Sequence, residues 1–486
     1  MNKNNTNPGI RRGAGVILFA LIIAELVSAF EATMVLGAMG GLLKVFGNPV
    51  TVGWLMTGFL LVAASSAAIC GRLGDIYGRR RVLLIVLTIA GIGSVISAIS
   101  SSVEGVLVGR AIQGVSGAIL PLCHGLVKEN LPEHRVPFGI GLLVACAIVV
   151  GGGGGGLLGG VIIDHLVWQW IFIAGAAMAG VALVVVWWLV PVSPQSKPDG
   201  PLDILGGVLF TPAIAGVLLA ISKAPSWGWG DWRTLSLLLA SLALLAGWAR
   251  YELSLKEPLI DVRLMANKQI ALANIAMIFI GLGALQSHQA VILLLTQPSW
   301  TGVGLGTSST TAGLVFLPAM AISFFAGPAA GMMAARYGGR VPMILGAALI
   351  TGAWLAIAVS HDSIMFIFIM LAIQHIGNTF CYSTIPMLIV EAAPPDRISE
   401  ANGLTTVFRA TFQGIGAQVI AFVLAASVIS GPGEGAVSYP TGGAYTIAFS
   451  LMALFSLGCL FCAFALPKRN RAAVTSGEVA SSGAVN

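Results

Sequence analysis

Acids are the residues of this chain that could carry a proton, and they are scarce. Two of them, Glu25 and Glu31, stand inside one long apolar run near the N-terminus. A charge at the middle of a membrane helix costs about 2.5–3.5 kcal/mol on insertion scales, so acids held there need a reason. The two lie six residues apart. At about 100° per residue they point to sides of a helix about 240° apart, so at most one points squarely into a central cavity. Low dielectric disfavours the charged carboxylate, which would let such a group load a proton on one side of a membrane and unload it on the other. The plainer alternative is a neutral acid that bonds a neighbouring helix.

Other candidates surround these two. Arg110 sits in Leu107-Val108-Gly109-Arg110-Ala111-Ile112-Gln113-Gly114. It could pair with a carboxylate and tune its proton affinity, or it could snorkel to the nearer interface. Arg409 heads an echoing Arg-Ala-Thr-Phe-Gln-Gly stretch and has the same two readings. His124, His288 and His375 could relay protons or bond neighbouring helices. Gln286, Gln289, Asn274, Gln374 and Asn378 could line a cavity or hold helices together. Finally, Gly71-Arg72-Leu73-Gly74-Asp75-Ile76-Tyr77-Gly78-Arg79-Arg80-Arg81 places one acid among arginines, between glycines that allow a sharp reversal. Asp75 among Arg72, Arg79 and Arg80 is the pattern of a latch that breaks when two bodies rock apart.

Several chemistries find no support. There is no GxxxxGK[ST] loop for ATP, no Ser-His-Asp pattern, no metal-ligand spacing and no nucleic-acid signature. Cys459 and Cys462 form a CxxC inside an apolar segment without a nearby histidine or acid. With Cys70, Cys123, Cys146 and Cys381 they read as small buried hydrophobes. No cofactor is expected, and neither is an enzyme.

The elements that must position these residues are membrane helices. Of 486 residues, 57% are hydrophobic and 9% are charged. Soluble domains carry about 25% charge, so this surface could not be solvated. A span needs about 20 apolar residues. Six fit near 14–40, 50–71, 82–101, 105–127, 137–162 and 168–190. Two fit near 203–222 and 233–251, and six more near 269–296, 310–334, 341–360, 362–388, 403–429 and 444–466. The run after Arg11 and Arg12 exceeds a signal-peptide core and is expected to be retained as the first span.

Orientation follows from charge. With a cytoplasmic N-terminus, twenty Lys and Arg fall on the inside, and only Lys44, Lys223 and Arg233 fall outside. Arg110 and Arg409 lie within spans. Both termini are therefore expected to be cytoplasmic. Trp54, Trp168, Trp170, Trp227, Trp229 and Trp232 fall at outer boundaries, with Trp187 and Trp188 at an inner one, as interface anchors do. The clustered arginines read as topology signals and contacts to anionic lipid.

The chain also repeats itself. Gly71, Tyr77, Gly78 and Arg80 match Gly331, Tyr337, Gly338 and Arg340 at a constant offset of 260. Each copy follows the second span of a group of six, so the chain reads as two six-helix halves made by duplication, with two additional helices between them. The expected division is a cytoplasmic segment 1–13, a first bundle 14–190, a linker with two helices 191–268, a second bundle 269–466 and a disordered cytoplasmic tail 467–486.

On these features the sequence resembles the major facilitator superfamily, and within it the fourteen-helix drug:proton antiporters, over residues 12–466. The Gly71–Arg81 motif resembles that superfamily's GxLaDrxGrr signature, which gives Gly71, Asp75, Gly78, Arg79 and Arg80 the role of a conformational gate. The stretch around Arg110 is similar to a fourth-helix motif linked to proton coupling. Gly151, Gly155, Gly159 and Gly160 match the fifth-helix antiporter motif, with Gly156 in place of its proline. Phe30-Glu31-Ala32-Thr33 stands where the family carries L-D-x-T, which selects Glu31 over Glu25 as the cavity acid. Gln169 replaces an arginine of the Trp-Arg-Trp that usually follows.

The resemblance implies an all-α polytopic protein of the inner or plasma membrane that works as a monomer. It would export amphipathic drugs, dyes, biocides or secreted metabolites by alternating access, in exchange for protons carried by Glu31 and tuned by Arg110, with Glu25 as reserve. Scarce acids favour a monocationic or neutral substrate over a large dication. Two other readings stand beside this one: a dedicated transporter of one endogenous solute, and a non-transporting scaffold or sensor on a transporter fold. The two additional helices are expected to be peripheral and to lie between the halves.

Overall fold

The computed structural model describes residues 13–38, 42, 45–46, 49–193, 203–256, 258–307, 309–430 and 438–467. Segment 1–13 and tail 467–486 fall almost wholly outside these residues, as does most of the stretch from 191 to 202.

Fourteen helices are long and apolar enough to span a membrane. The first six are α1 (Ala14–Gly37), α2 (Pro49–Tyr77), α3 (Arg79–Ile99), α4 (Val103–Asn130), α5 (Glu133–His165) and α6 (Gln169–Leu189). Two follow: α7 (Ile204–Trp227) and α8 (Trp232–Ser254). The last six are α9 (Lys268–Thr296), α10 (Ser309–Tyr337), α11 (Arg340–Val359), α12 (Ile364–Ala392), α13 (Ile398–Ala425) and α14 (Gly442–Ala465). One two-stranded hairpin, Val428–Ser430 with Ser438–Pro440, joins α13 to α14.

Helices win because no water is available in hydrocarbon to satisfy an open backbone. Where the helices deviate, glycine is usually present. The run Ala147–Gly154 within α5 is π-helical, so the glycines bend this helix where the antiporter motif would use proline. The helix α4 passes through a 3₁₀ stretch at Gly114–Ala118, and α9 breaks at Gly283 before a 3₁₀ turn at Ala284–Gln286.

The Gly71–Tyr77 motif is not a loop, as the span limits suggested, but the last turns of α2. The chain reverses at Gly78 alone (φ 94°), and the duplicate reverses at Gly338 (φ 83°). A left-handed residue permits so short a reversal, and glycine adopts it without a Cβ clash.

Two six-helix halves result. In the first, α3 packs on α4 and α6, and α1 on α5 and α6. In the second, α11 packs on α12 and α14, and α9 on α13. Trp354 of α11 stacks on Phe449 of α14, with ring centroids 5.7 Å apart, at the centre of the second half. The halves meet chiefly where α2 lies on α13 and where the Val136–Cys146 part of α5 lies on α10. These contacts belong to the end of the bundle that carries the arginine-rich turns, hereafter the basic end. At the opposite end Val103–Gln113, Gly155–His165 and Ser287–Thr296 pack within their own halves.

The two additional helices take the place expected for them. The helix α7 rests on α2 and α13 together, one from each half, and α8 packs on its outside. Phe210 and Trp248, with ring centroids 4.8 Å apart, join them, and Leu259 and Ile260 of the following connector complete that cluster.

Candidate functional site

Three groups of polar side chains stand out in this apolar frame. The first encloses Glu31, which is 2% exposed. Ser94 of α3 donates from Oγ to Glu31 Oε1 at 2.9 Å, and Gln113 of α4 donates from Nε2 to Ser94 Oγ at 2.7 Å. Arg110, fully buried, donates from Nη1 to Gln113 Oε1 at 3.1 Å and to the Glu31 backbone carbonyl at 3.0 Å. Its Nε reaches the Leu55 carbonyl at 3.0 Å, and the guanidinium lies 4.3 Å from the centroid of the Phe59 ring. Five donors in a planar fork can serve several acceptors at once, which keeps this cation inside the bundle.

Two expectations change here. Arg110 does not snorkel, and it holds the backbone of Glu31 rather than forming an ion pair with its carboxylate. Glu31 faces into the first half, against α3 and α4, and not into the space between the halves. The other carboxylate oxygen, Oε2, is buried and has no hydrogen-bond partner among the described residues.

The antiporter-motif glycines hold the helix that carries these acids. A Cβ on Gly151 would collide with Ala29, one on Gly155 with Thr33 Oγ1, and one on Gly159 with the Met34 carbonyl. Thr33 donates to the Gly151 carbonyl at 2.8 Å. Small residues thus bring α5 against α1. Gly160 is the exception, with open space where its Cβ would be.

The second group lies where the halves meet, midway along α1. Glu25 is 5% exposed and also has an unpartnered Oε2 among the described residues. It lies within electrostatic reach of Arg409 on α13 and Tyr382 on α12, both half-buried and both from the second half. The Arg409 guanidinium carbon is 5.8 Å from the centroid of the Tyr382 ring. The helical offset anticipated that the two acids would face different sides. The structure gives Glu25, rather than Glu31, the side toward the second half, because Ser94 and Arg110 occupy the other.

The third group is the gate at the basic end. Arg79 Nε donates to Asp75 Oδ1 at 2.8 Å and to Ser399 Oγ at 3.0 Å, and Nη2 reaches the Pro395 carbonyl at 2.6 Å. Asp75 in turn accepts from the backbone N–H of Ser399 at 3.3 Å and of Glu400 at 2.9 Å, the first turn of α13. A carboxylate there meets unsatisfied N–H groups and the positive end of the helix dipole. Glu129 of α4 sits 3.7 Å from Arg79 Nη1.

Of the three arginines expected around Asp75, Arg79 is the one bonded to it. Arg72 reaches Glu400 at 3.6 Å and the Asp396 carbonyl at 3.4 Å, while Arg80 bonds the Trp187 carbonyl and donates its own N–H to Ser193. Gly71 contributes by lying so close to the Ser399 carbonyl that a Cβ would clash.

Sequence reasoning missed Glu129, Arg397, Glu400 and Asp261. Glu400 is fully buried, accepts the Asp261 backbone N–H, and lies 3.4 Å from Arg397 Nη1. The same Arg397 nitrogen is 3.6 Å from Asp261 Oδ2. The connector after α8 is thereby tied to the gate. An acid in the first turn of a helix was the available signal, hidden because the span was started five residues late, at 403 rather than 398.

The polar residues of the second half separate into two uses. Gln286 Nε2 bonds the Gly281 and Gln413 carbonyls, Gln374 Nε2 the Ala284 carbonyl, and Asn274 Oδ1 accepts from Thr405. These hold helices together. By contrast His288 and Gln289 are exposed, and His288, Phe316 and His375 form a row of rings with centroid separations of 4.8 and 5.9 Å. His124 is buried on α4 near the gate. Among the described residues, no group of three or more His, Cys, Asp and Glu could hold a metal ion.

Known proteins share this frame. Human organic anion transporter MFSD10 superposes with a TM-score of 0.66 at 16% identity, covering 93% of this chain and 99% of that one. The proton:xylose symporter XylE superposes at 0.62 with 14% identity, covering 91% and 94%. Among curated relatives, the tetracenomycin C resistance and export protein of Streptomyces glaucescens is 25% identical over 86% of this chain and 78% of its own length. Multidrug resistance protein Stp of Mycobacterium tuberculosis is 26% identical over 88% and 77%, and lincomycin resistance protein LmrB of Listeria monocytogenes 28% over 68% and 69%. The profile of the Major Facilitator Superfamily matches residues 21–417. With two six-helix halves closed on a signature gate, this multi-pass membrane protein belongs to the major facilitator superfamily of transporters.

Proposed function

We propose that this chain exports amphipathic drugs, dyes, biocides or secreted metabolites across the cytoplasmic membrane in exchange for protons. The basic end and both termini face the cytoplasm, in keeping with the distribution of Lys and Arg. The printed functions of the tetracenomycin, lincomycin and multidrug resistance relatives support an efflux role.

One observation carries the proton half of the proposal. Glu31 is an enclosed carboxyl with one oxygen bonded to Ser94 and the other unpartnered among the described residues, beside a cation that itself holds the Glu31 backbone. A purely structural acid would have both oxygens satisfied. In the cycle, Glu31 exchanges its proton with one face of the membrane at a time. Arg110 fixes the position of that turn of α1, and rocking of the halves about the seam opens the other face. Breaking the Asp75–Arg79–α13 contacts is the step that opens the basic end.

The test is transport in proteoliposomes driven only by a pH gradient. The wild-type chain is expected to concentrate a fluorescent dye, and a protonophore to abolish this. Glu31→Gln should stop proton-driven transport while Glu31→Asp keeps much of it. Accumulation against a gradient by Glu31→Gln would remove Glu31 as the carrier. Transport that ignores the protonophore would remove proton coupling altogether.

A further inference from the structure

Glu25 has no task in the proton scheme, yet it occupies a costlier position than almost any other residue here. It lies mid-helix, is nine-tenths buried, and has an oxygen without a hydrogen-bond partner among the described residues. Across the seam stand Tyr382 and Arg409. Among the described residues no ion pair within 4.0 Å joins Glu25 to Arg409. The guanidinium lies instead over the tyrosine ring, a seat that stabilises a cation without a carboxylate.

The helix α12 extends this floor upward. His375, Asn378 and Tyr382 follow the i, i+3, i+7 spacing of a single helix face, and Asn378 Oδ1 is a second buried oxygen without a partner among the described residues. From Tyr382 to His375 the face rises about 10 Å at about 1.5 Å per residue. At the top, His375 meets the edge of Phe316, which in turn meets His288, an exposed residue in an otherwise apolar helix. One continuous face thus runs from an acid with an opposing arginine to a wall of three flat rings.

The geometry points to a substrate site in which Glu25, Arg409 and Tyr382 form a charge-compensated floor and His288, Phe316 and His375 a stacking wall. This site takes a planar aromatic molecule with one positive charge and rejects one with two. The assignment rests on the export reading given above. The ligand's cation replaces Arg409 beside Glu25, and Arg409 stays over Tyr382, so no buried charge loses its partner. A second ligand charge would find no acid: Glu31 is closed off behind Ser94 and Arg110, and Arg409 repels it. The wall receives the ring system through face and edge contacts that suit any flat aromatic surface.

Ethidium and propidium make the test, because they share one ring system and carry one and two positive charges. Fluorescence titration of the purified full-length chain should show ethidium binding at least tenfold tighter than propidium. Glu25→Gln should weaken ethidium tenfold or more, and Phe316→Ala should weaken both dyes. Arg409→Ala should strengthen propidium at least tenfold, a gain that a misfolded variant cannot produce. Equal affinity for the two dyes in the wild-type chain would overturn the proposal. So would no ethidium binding, an unchanged ethidium affinity in Glu25→Gln, or no propidium gain in Arg409→Ala. Proton-driven ethidium transport combined with any of those results would leave antiport standing and remove this site. Charge-selective binding without proton-driven transport would do the reverse.

Discussion

The two halves close on each other at the basic end through duplicated turns that use different physics. In the first turn, Asp75 and Arg79 bridge to the start of α13 by charge-assisted hydrogen bonds. At the 260-residue offset the duplicate carries Ala335 and Gly339, neither of them charged. Its helix meets the first half through bare backbone. Gly327 lies so close to the Gly141 carbonyl, and Gly331 to the Pro137 carbonyl, that a Cβ on either glycine would clash. One side of the seam is held by charges that water can compete for, the other by shape. A charged latch can release when hydrated, whereas a glycine contact separates only when the helices move as bodies. The asymmetry gives the gate a side that unlocks and a side that acts as its bearing.

Breaking the bearing should have the largest effect. Gly141→Val places a branched side chain against the Gly327 carbonyl and should hold the basic end apart, lowering transport by roughly tenfold or more, as bulky residues do at close helix contacts. Crosslinking between cysteines at 137 and 331 would fall in parallel, and unchanged crosslinking would count against the steric account.

Next comes the latch. Asp75→Asn leaves Arg79 and the N-terminus of α13 without their anion, a change of about 3–5 kcal/mol for a buried pair. Only the closed basic end contains these contacts, so the balance should move toward the state open at that end. Expression and substrate binding should be retained. Distance measurements across α2 and α13 report the shift, and an unaltered distribution would sink the latch.

A third experiment asks whether charge can be moved from one turn to the other. Ala335→Asp restores an acid at the duplicated position but finds Gly339 where Arg79 would be. It should cost about 1–3 kcal/mol of closed-state stability as an unpaired, half-buried polar group, and it should not rescue Asp75→Asn. Rescue in transport would mean the two turns are interchangeable.

The smallest effect is expected at the connector. Asp261→Ala removes a partly exposed ion pair with Arg397 while its backbone N–H still reaches Glu400, so a change within about 1 kcal/mol is expected. Thermal unfolding of the detergent-solubilised protein would register a larger loss if the additional helices depended on that pair.

Much of this architecture is written in the order of residues alone. Apolar length and the scarcity of charge determine fourteen spans, because hydrocarbon admits few alternatives to a helix of about 20 residues. The constant offset between Gly78 and Gly338 determines the duplication, since both positions take a left-handed backbone. The motif around Asp75 was also readable, because its purpose is local to a turn. Other features depend on what stands opposite, and no spacing along one helix records that. A helical wheel shows that Glu25 and Glu31 diverge, yet it cannot say which one meets the second half. Ser94, Gln113 and Arg110 decide that by claiming Glu31, from helices 63 to 82 residues away. Arg110 read equally well as a snorkelling cation until α1, α2 and α4 enclosed it. Glu400 and Asp261 find each other across 139 residues, and Glu25 and Arg409 face each other across 384. Local sequence sets which segments are helices because each helix satisfies its own backbone. Only packing chooses the partners of a buried charge, because the carboxyl, guanidinium and backbone groups that stabilise it come from distant parts of the chain.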